Sequence, residues 1–537
     1  GLTLKGAQAF EGYIYKYRGV NYPWEDNEFN GDVAEQFQRG SNWTFTNTAE
    51  YKHTFKGKHF MTLLAGQESI MHNSDGFSAS GKGIEDSRLT QLSAVSSATA
   101  KVNGARSEYV FNSFFFRGEY NYDEKYYLDA SYRRDGSSRF SEDHRWASFY
   151  SIGAMYNIKN EAFLNDVEWL NDLRLKISYG TTGNSEIGNY APLGMVAGGS
   201  YNYNNQSGWV IGTVGNSDLT WETLKNFSAG VSTKVFDRLD FSVEYYQKKT
   251  VDMLMNVPFS MTTGHSTGMG NVGTLLNTGV DLNMNLEILN INNLRWNVYA
   301  NFNYNKTKIQ SLFNGLDELA FPQYGLKYQV GHDPNEYFSV LCAGVDPRDG
   351  ALMYYDLNGN KTKTFTMDNM QFTGKKMFAP CSGGFGTSVS WKGLSAMIDF
   401  SWIGERYLIN NDRFFTENPT NSNMVNMNKR MLTMWQKPGD ITDVPRYGVA
   451  SENLLRTNYF LENAAFVRLK NVTISYELPK SILKKTKIVE GVRIFTTGRN
   501  LLTFTQFSGI DPEIDSNLAL GDYPNSRQYT LGLEVKF

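Results

Sequence analysis

The chain has 537 residues, and 52 Lys and Arg against 55 Asp and Glu leave a net charge of −3. This balance offers no basic surface for nucleic acid, and no run of about 18 apolar residues encodes a transmembrane helix. Tyr and Phe are frequent, at 32 and 35, and Gly reaches 49. The two cysteines, Cys342 and Cys381, are too few for a disulfide scaffold. One bridge between them and two free thiols both stay open.

Alternation of apolar and polar residues recurs along the whole chain and predicts an all-β fold. Stretches 126–134, 239–246 and 394–402 each alternate over eight or more residues. Such a run indicates a strand with two unlike faces. The sixteen predicted strands are, in chain order, 2–18, 40–55, 59–72, 108–122, 126–139, 146–158, 172–183, 220–235, 239–254, 270–288, 294–309, 383–391, 394–405, 458–477, 491–503 and 525–537.

The connections between these strands favour a transmembrane antiparallel β-barrel. Very short turns are predicted at 56–59, 122–125, 236–239, 290–293 and 391–393. They alternate with long polar loops at 19–39, 73–107, 184–219, 310–382, 406–457 and 504–524. Outer-membrane barrels show this asymmetry, and about 9–11 tilted residues suffice to cross a bilayer. The chain ends on Phe537, the type of residue that serves as a barrel assembly signal.

Several segments resemble one known family. They are "YRRDGSSRF" (132–140), "LRLKISYGTTGN" (173–184), "LTWETLKNFSAGV" (219–231), "NVGTLLNTGVDL" (271–282), "NAAFVRLKNVTISYELP" (463–479), "GRNLLTFTQFSGIDPE" (498–513) and "YPNSRQYTLGLEVKF" (523–537). Together and in this order they resemble the barrel of SusC/RagA-like TonB-dependent transporters of Bacteroidetes.

The resemblance implies a barrel of twenty-two strands with a plug in its lumen. The chain begins at Gly1 and shows no plug, TonB box or N-terminal extension, so we expect the C-terminal portion of a larger receptor. Residues 2–18 and 525–537 should then be open edges of the sheet. The rival interpretation is a complete, passive sixteen-stranded porin.

No motif for covalent chemistry was found, so no enzyme, cofactor or metal site is predicted. None of the six histidines belongs to a cluster with metal-ligand spacing. "DLNGN" (356–360) resembles a calcium loop at alternate positions but lacks the required Glu. A tight turn is the better interpretation of that segment.

The resemblance implies import of oligomeric nutrients, with oligosaccharides ranked before oligopeptides. Further implied partners are a SusD-like surface lipoprotein acting as a lid on loops 310–382 and 406–457, the TonB–ExbB–ExbD complex acting through an N-terminal region, outer-membrane lipid, and a second transporter–lid pair in a dimer. Aromatic side chains among amides and carboxylates suit sugar binding, although they also suit packing within loops. The candidate cargo contacts are Trp24, Tyr201, Tyr203, Trp209, Phe321, Tyr324 and Tyr328.

Overall fold

One sixteen-stranded sheet dominates the structure, with every strand next to its successor in the sheet. The computed structural model describes residues 1–22, 31–164, 166–204, 206–319, 325–418, 426–448, 454–483, 488–514, 516, 518–519, 521 and 523–537. The sheet strands are β1 (Leu2–Asn21), β2 (Gly31–Phe55), β3 (His59–Ile84), β4 (Lys101–Tyr122), β5 (Tyr126–Ser137), β6 (Trp146–Asn157), β7 (Leu170–Asn184), β8 (Glu222–Val235), β9 (Leu239–Val251), β10 (Thr274–Ile291), β11 (Leu294–Ser311), β12 (Cys381–Trp391), β13 (Leu394–Gly404), β14 (Phe466–Glu477), β15 (Gly491–Thr505) and β16 (Gln528–Lys536).

All sixteen predicted strands are present, which confirms the all-β fold class and the antiparallel order. Within the sheet order, β1 and β16 stand at the two ends. The bounds were wrong mainly at the long loops. β2 begins at Gly31, β3 continues to Ile84 and β4 begins at Lys101, so much of the predicted loops 19–39 and 73–107 is strand. The added end of β3, residues 73–84, is rich in Gly and Ser and has little strand propensity, and its pairing with β2 and β4 overrides this.

The apolar face of the sheet is the exposed one, which reverses the arrangement of a soluble protein. Along β5, Leu128 and Tyr132 are 47% and 48% exposed, whereas Asp129 and Arg133 on the opposite face are only partly exposed. The same reversal occurs along β11, whose exposed apolar side chains are Trp296, Phe302 and Tyr304. A continuous apolar face open to the surroundings is suited to lipid.

Left-handed backbone conformations explain the five short turns. In each turn two successive residues have positive φ, as a type I′ hairpin turn requires at both central positions. The pairs are Lys56–Gly57, Asp123–Glu124, Phe236–Asp237, Asn292–Asn293 and Lys392–Gly393. Their right-handed twist matches that of the flanking strands, so each turn sets the register of its hairpin.

The long loops contain regular structure of their own. Minor strands pair as Met195–Tyr203 with Gln206–Thr213, Leu254–Pro258 with Thr267–Asn271, Glu318–Leu319 with Tyr328–Gln329, and Glu336–Val340 with Met370–Lys376. Two three-stranded sheets comprise Cys342–Val345, Leu352–Tyr355 and Lys361–Thr362, and Tyr407–Asn410, Leu461–Asn463 and Leu518–Ala519.

Helices are few and short among the described residues. They are α1 (Asn411–Thr416), α2 (Lys480–Leu483) and the 3-10 turns Leu92–Ala94, Glu142–His144, Ile158–Asn160, Ala162–Leu164, Met261–Thr263, Phe313–Gly315, Met367–Asn369 and Lys429–Thr433. None of the helices in the part of the chain that the structure describes has the length and apolar character needed to cross a membrane.

The chain divides into two compact units. The first comprises Gly1–Tyr156, Ser178–Asn226 and Thr250–Val272, and the second Asn157–Ile177, Phe227–Lys249 and Gly273–Phe537. The core cluster of the first unit contains Phe140, Phe149, Ile187, Leu219 and Trp221. The largest core cluster of the second contains Val340, Val345, Leu352, Tyr354, Leu454 and Phe460.

The turn between β10 and β11 provides a test of backbone strain. Asn293 has a φ of 65°, which glycine adopts freely and a β-branched residue does not. We expect Asn293→Val to destabilise the barrel by about 1–2 kcal/mol, because left-handed backbone costs an L-residue about that much. The matched variant Asn293→Gly should equal or exceed the wild-type stability. Thermal unfolding in detergent measures both, and equal losses in the two variants would contradict the turn assignment.

Candidate functional site

A groove of about 410 Å³ lies on the polar face of the second unit. On β10 and β11, Asp281 pairs with Asn303 and Asn283 pairs with Asn301. Asn303 Nδ2 donates a hydrogen bond to Asp281 Oδ1 at 2.5 Å. The groove is also lined by Lys176, Ser232, Ser242, Glu244 and Ser382. Amides, hydroxyls and single charges can hydrogen-bond to a polar oligomer, and nothing in the set is arranged as a nucleophile with its base.

A second polar groove, of about 620 Å³, lies further along the same unit and includes Asp399, Asn471 and Arg499. The Tyr299 hydroxyl donates to Asp399, and Asn471 Nδ2 donates to the other oxygen of that carboxylate at 3.1 Å. The Tyr299 ring crosses Gly386, where a Cβ would lie 2.6 Å from the ring. Only glycine at position 386 leaves room for the ring. Gly386 is therefore required for the hydrogen bond between Tyr299 on β11 and Asp399 on β13, two strands that are not adjacent.

Loops 310–382 and 406–457 form a packed body within the second unit rather than plain polar segments. Val340 and Leu454 are fully buried, and the Val340 N–H donates a hydrogen bond to the Arg456 carbonyl at 3.0 Å. Trp435 Nε1 donates to the Pro347 carbonyl at 3.1 Å. The two loops thus share one core.

Buried ion pairs hold the second of these loops. Arg413 contacts Glu417 at 2.8 Å and Glu462 at 2.6 Å, and Arg430 contacts Glu417 at 2.8 Å. The Glu417 side chain is only 3% exposed. Removing one partner from such a network leaves a buried charge uncompensated, which costs more than the intact pair contributes.

The last loop, 504–524, is fastened to β14 by a similar network. Arg468, 3% exposed, contacts Asp511 and reaches Glu513 at 2.6 Å. Lys470 contacts Glu513 at 2.7 Å, and Asn525 N donates to Asp511 at 3.0 Å. These bonds satisfy both carboxylates, so this loop is held against the strand wall.

The predicted cargo contacts in the first unit lie on one hairpin. Tyr203 and Trp209 are 87% and 70% exposed, and Tyr201 lies in the same hairpin strand, Met195–Tyr203. The Trp209 ring lies across Gly198, where a Cβ would approach it to 2.9 Å. Between Glu186 and Asp218 the sequence contains no charged residue. The hairpin therefore presents aromatic surface without charge, and its cargo role stays a prediction.

The remaining predicted site residues have varied positions. Tyr328 packs against the cluster of Ile309, Leu312 and Leu319, and burial raises its pKa. Tyr328 is thus partly buried in a core, and its cargo role stays a prediction. The terminal Phe537 is 76% exposed, and its assembly role stays a prediction. Residues Trp24, Phe321 and Tyr324 lie outside the described part of the chain.

Of the two alternatives for the cysteines, the structure has the free thiols. Neither Cys342 nor Cys381 forms a disulfide. Burial raises the pKa of the Cys342 thiol to about 11, so it is protonated and unreactive at neutral pH. The described residues contain no group of three or more His, Cys, Asp or Glu side chains that could hold a metal ion.

The polar-face grooves were missed at the level of sequence, although a signal was present. Asparagine recurs at every second position in "NFNYN" (301–305), and "DLNMN" (281–285) repeats the pattern on the partner strand. Alternation showed that these residues share one face, but pairing across strands was needed to bring Asp281 beside Asn303.

Comparison with known proteins now identifies the family. The profile of the family described as "TonB dependent receptor-like, beta-barrel" matches residues 2–501. The chain belongs to this family. It is a family of outer-membrane receptors and not of enzymes, so the chain is an outer-membrane β-barrel protein.

Individual relatives place the chain among SusC/RagA-like receptors. It is 28% identical to TonB-dependent receptor P3 of Formosa agariphila over 94% of this chain and 53% of that protein. It is 26% identical to TonB-dependent receptor SusC of Bacteroides thetaiotaomicron over 100% of this chain and 53% of that protein. The match to the solved structure of the RagAB peptide transporter covers 100% of this chain and 60% of that chain, with 38% sequence identity and a TM-score of 0.91. The chain thus spans about half the length of the curated relatives it matches.

The Tyr299–Asp399 bond gives a test of the polar face. We expect Gly386→Ala to lower stability by about 1–3 kcal/mol, because the new methyl group displaces the ring and breaks the bond. Gly491→Ala is the matched control, since its Cβ would find ordinary contact at 3.5 Å. Thermal unfolding in detergent measures both variants. A control as unstable as Gly386→Ala would show that loss of glycine alone is responsible.

The loop body should be sensitive to acid. Hydrogen bonds from Arg348 and from Lys363 hold the pKa of Asp346 well below its usual range. Because the pKa of this carboxyl group is lower in the folded protein than in the unfolded chain, its charged form stabilises the loop at pH values above about 4. This stabilisation is lost as the pH falls through the pKa of the folded state. Hydrogen exchange in 340–365, corrected for its intrinsic pH dependence, should accelerate below about pH 4. Asp346→Asn should weaken that response and Asp143→Asn should not; an identical response in both variants would contradict the assignment.

Proposed function

We propose that the chain forms the barrel wall of a TonB-driven receptor that imports an oligomeric nutrient across the outer membrane. Its similarity to the RagAB peptide transporter over the whole chain, with a TM-score of 0.91, carries this proposal. The reversed faces of the sheet and the packed loops support it, because an importer needs a lipid-compatible wall, a polar lumen and a defined mouth. No covalent step is involved.

The remaining components act on this wall from either side. The loop body of 310–382 and 406–457 offers ordered polar surface to a SusD-like lipoprotein lid, and a pair of such assemblies can form a dimer. Cargo held between lid and loops then enters the polar lumen when TonB–ExbB–ExbD pulls on the N-terminal part of the receptor and moves a plug. The grooves around Asp281 and Asp399 offer hydrogen-bonding groups along that route.

Oligopeptides are the cargo class that we propose first. RagAB is a peptide importer and is 38% identical to this chain, a more specific observation than the family habit that ranked oligosaccharides first from sequence. Oligosaccharides remain the second candidate because the hairpin that contains Tyr203 and Trp209 combines exposed aromatic faces with uncharged polar residues.

Uptake by cells that express the complete receptor and its lid tests the transport proposal. We expect saturable uptake that collapses when TonB is deleted, and co-purification of a lipoprotein with a receptor of mass well above that of this chain, 60.9 kDa. Uptake that persists at its full rate without TonB would favour the passive porin. Binding of receptor to lid without any TonB-dependent uptake would favour an adhesive surface barrel.

Cargo class is tested separately by binding to the purified receptor–lid complex. We expect mixed oligopeptides to bind and neutral oligosaccharides not to bind; the reverse result would restore the sugar ranking. Trp209→Ala should weaken binding of the true cargo by about three- to tenfold, the effect of one aromatic contact. Trp169→Ala, an exposed tryptophan beside the turn that follows β8, is the matched control and should leave binding unchanged.

A further inference from the structure

The apolar face of β11 has the length of a membrane core. Its outward positions are Leu294, Trp296, Val298, Ala300, Phe302 and Tyr304, an unbroken apolar row. Ten residue steps cover about 33 Å along a strand, which at a tilt of about 40° corresponds to about 25 Å across the bilayer, the height of the apolar band in outer-membrane barrels. The apolar row therefore spans the membrane core and ends at Tyr304. Tyrosine rings are enriched at the membrane–water interface.

The next two outward positions on the same strand are lysines. Lys306 and Lys308 are exposed and lie about 7 and 13 Å along the strand beyond Tyr304. They pair across to Thr278 and Leu276 on β10, so no carboxylate stands opposite either of them. Neither forms an ion pair with any residue that the structure describes. Two free ammonium groups are thus placed at the height of lipid headgroups, at the loop end of the barrel wall.

A neighbouring strand repeats this succession. The outward row of β9 runs through Phe241, Val243 and Tyr245 to Gln247 and Lys249, and β9 is the sheet neighbour of β10. Within the first unit, β5 likewise passes from Tyr132 to an exposed Arg134, whose guanidinium lies 5.6 Å from the centre of the Trp146 ring. An interfacial aromatic followed by a cation on the same face is a membrane-surface pattern, because the long side chain can extend its charge to the headgroups.

We infer that Lys249, Lys306 and Lys308 form a binding site for the phosphate groups of outer-leaflet lipid. The cations lie on the lipid-facing side, Lys306 and Lys308 directly beyond the completed apolar row of β11 and Lys249 beyond Tyr245 and Gln247 on β9. A headgroup phosphate would meet them while its acyl chains contact Phe302 and Tyr304. Lysine suits a phosphate as a mobile point charge with three donors. The site anchors a lipid at the loop end of the wall and is independent of the transported cargo.

Lipid binding to the complete receptor, purified in detergent, tests this inference. Native mass spectrometry would measure affinity for monophosphoryl lipid A, for its dephosphorylated form and for inorganic phosphate. The variant K249Q/K306Q/K308Q should bind the phosphorylated lipid on the order of a hundredfold more weakly, from about fivefold for each lysine near an anionic surface. The control K361Q/K429Q/K437Q removes the same charge from the loops and should bind as the wild type does.

Three results of the lipid measurements would overturn the inference. They are unchanged affinity in the strand variant, equal weakening in both triple variants, and equal binding of the dephosphorylated lipid. Inorganic phosphate that binds as tightly as the lipid would show a site for the free ion and would likewise overturn it. Thermal unfolding of every variant verifies folding, and the three single variants, each expected to lose about fivefold, carry the test if the triple variant does not assemble.

Discussion

A backbone N–H or C=O group left unpaired in lipid costs several kcal/mol, and the rest of this structure depends on satisfying that constraint. An antiparallel sheet in which each strand pairs with its chain neighbours does so with short connections. Because the pairing follows chain order, each type I′ turn can set the register of one hairpin by itself. The chemistry of every face then follows from the alternation along the strands.

Because its apolar side chains point outward and its polar side chains point inward, the sheet has two different surfaces. The outward side chains meet lipid and require only apolar area of the right height, as the row from Leu294 to Tyr304 provides. The inward side chains remain polar and bond to one another, as Asp281 does with Asn303 and Asp399 does with Tyr299 and Asn471. A polar wall that satisfies its own groups keeps its shape and still offers unused donors and acceptors to a passing solute.

The long loops differ from the strands, because segments outside the membrane must be ordered without pairing in the sixteen-stranded sheet. Here the loops carry their own cores and buried ion pairs, such as Arg413 with Glu417 and Arg468 with Asp511. Such pairs add little net stability but penalise any arrangement that separates them. Loops built in this way hold one conformation, and the acid sensitivity expected of the loop body follows from a different carboxylate, that of Asp346.

The sequence by itself determined the sixteen strands, the turns and the two unlike faces, because alternation and turn chemistry are local properties. It also determined the family, through segments spread along the chain. Only the tertiary structure decided that β2, β3 and β4 extend into predicted loops, because pairing between these strands overrides local signals such as the Gly- and Ser-rich end of β3. It alone showed that Tyr328 packs in a core, that Gly386 makes room for Tyr299, and that asparagines on separate strands form one groove. Those facts depend on which residues face each other across strands, and no local pattern specifies such pairs.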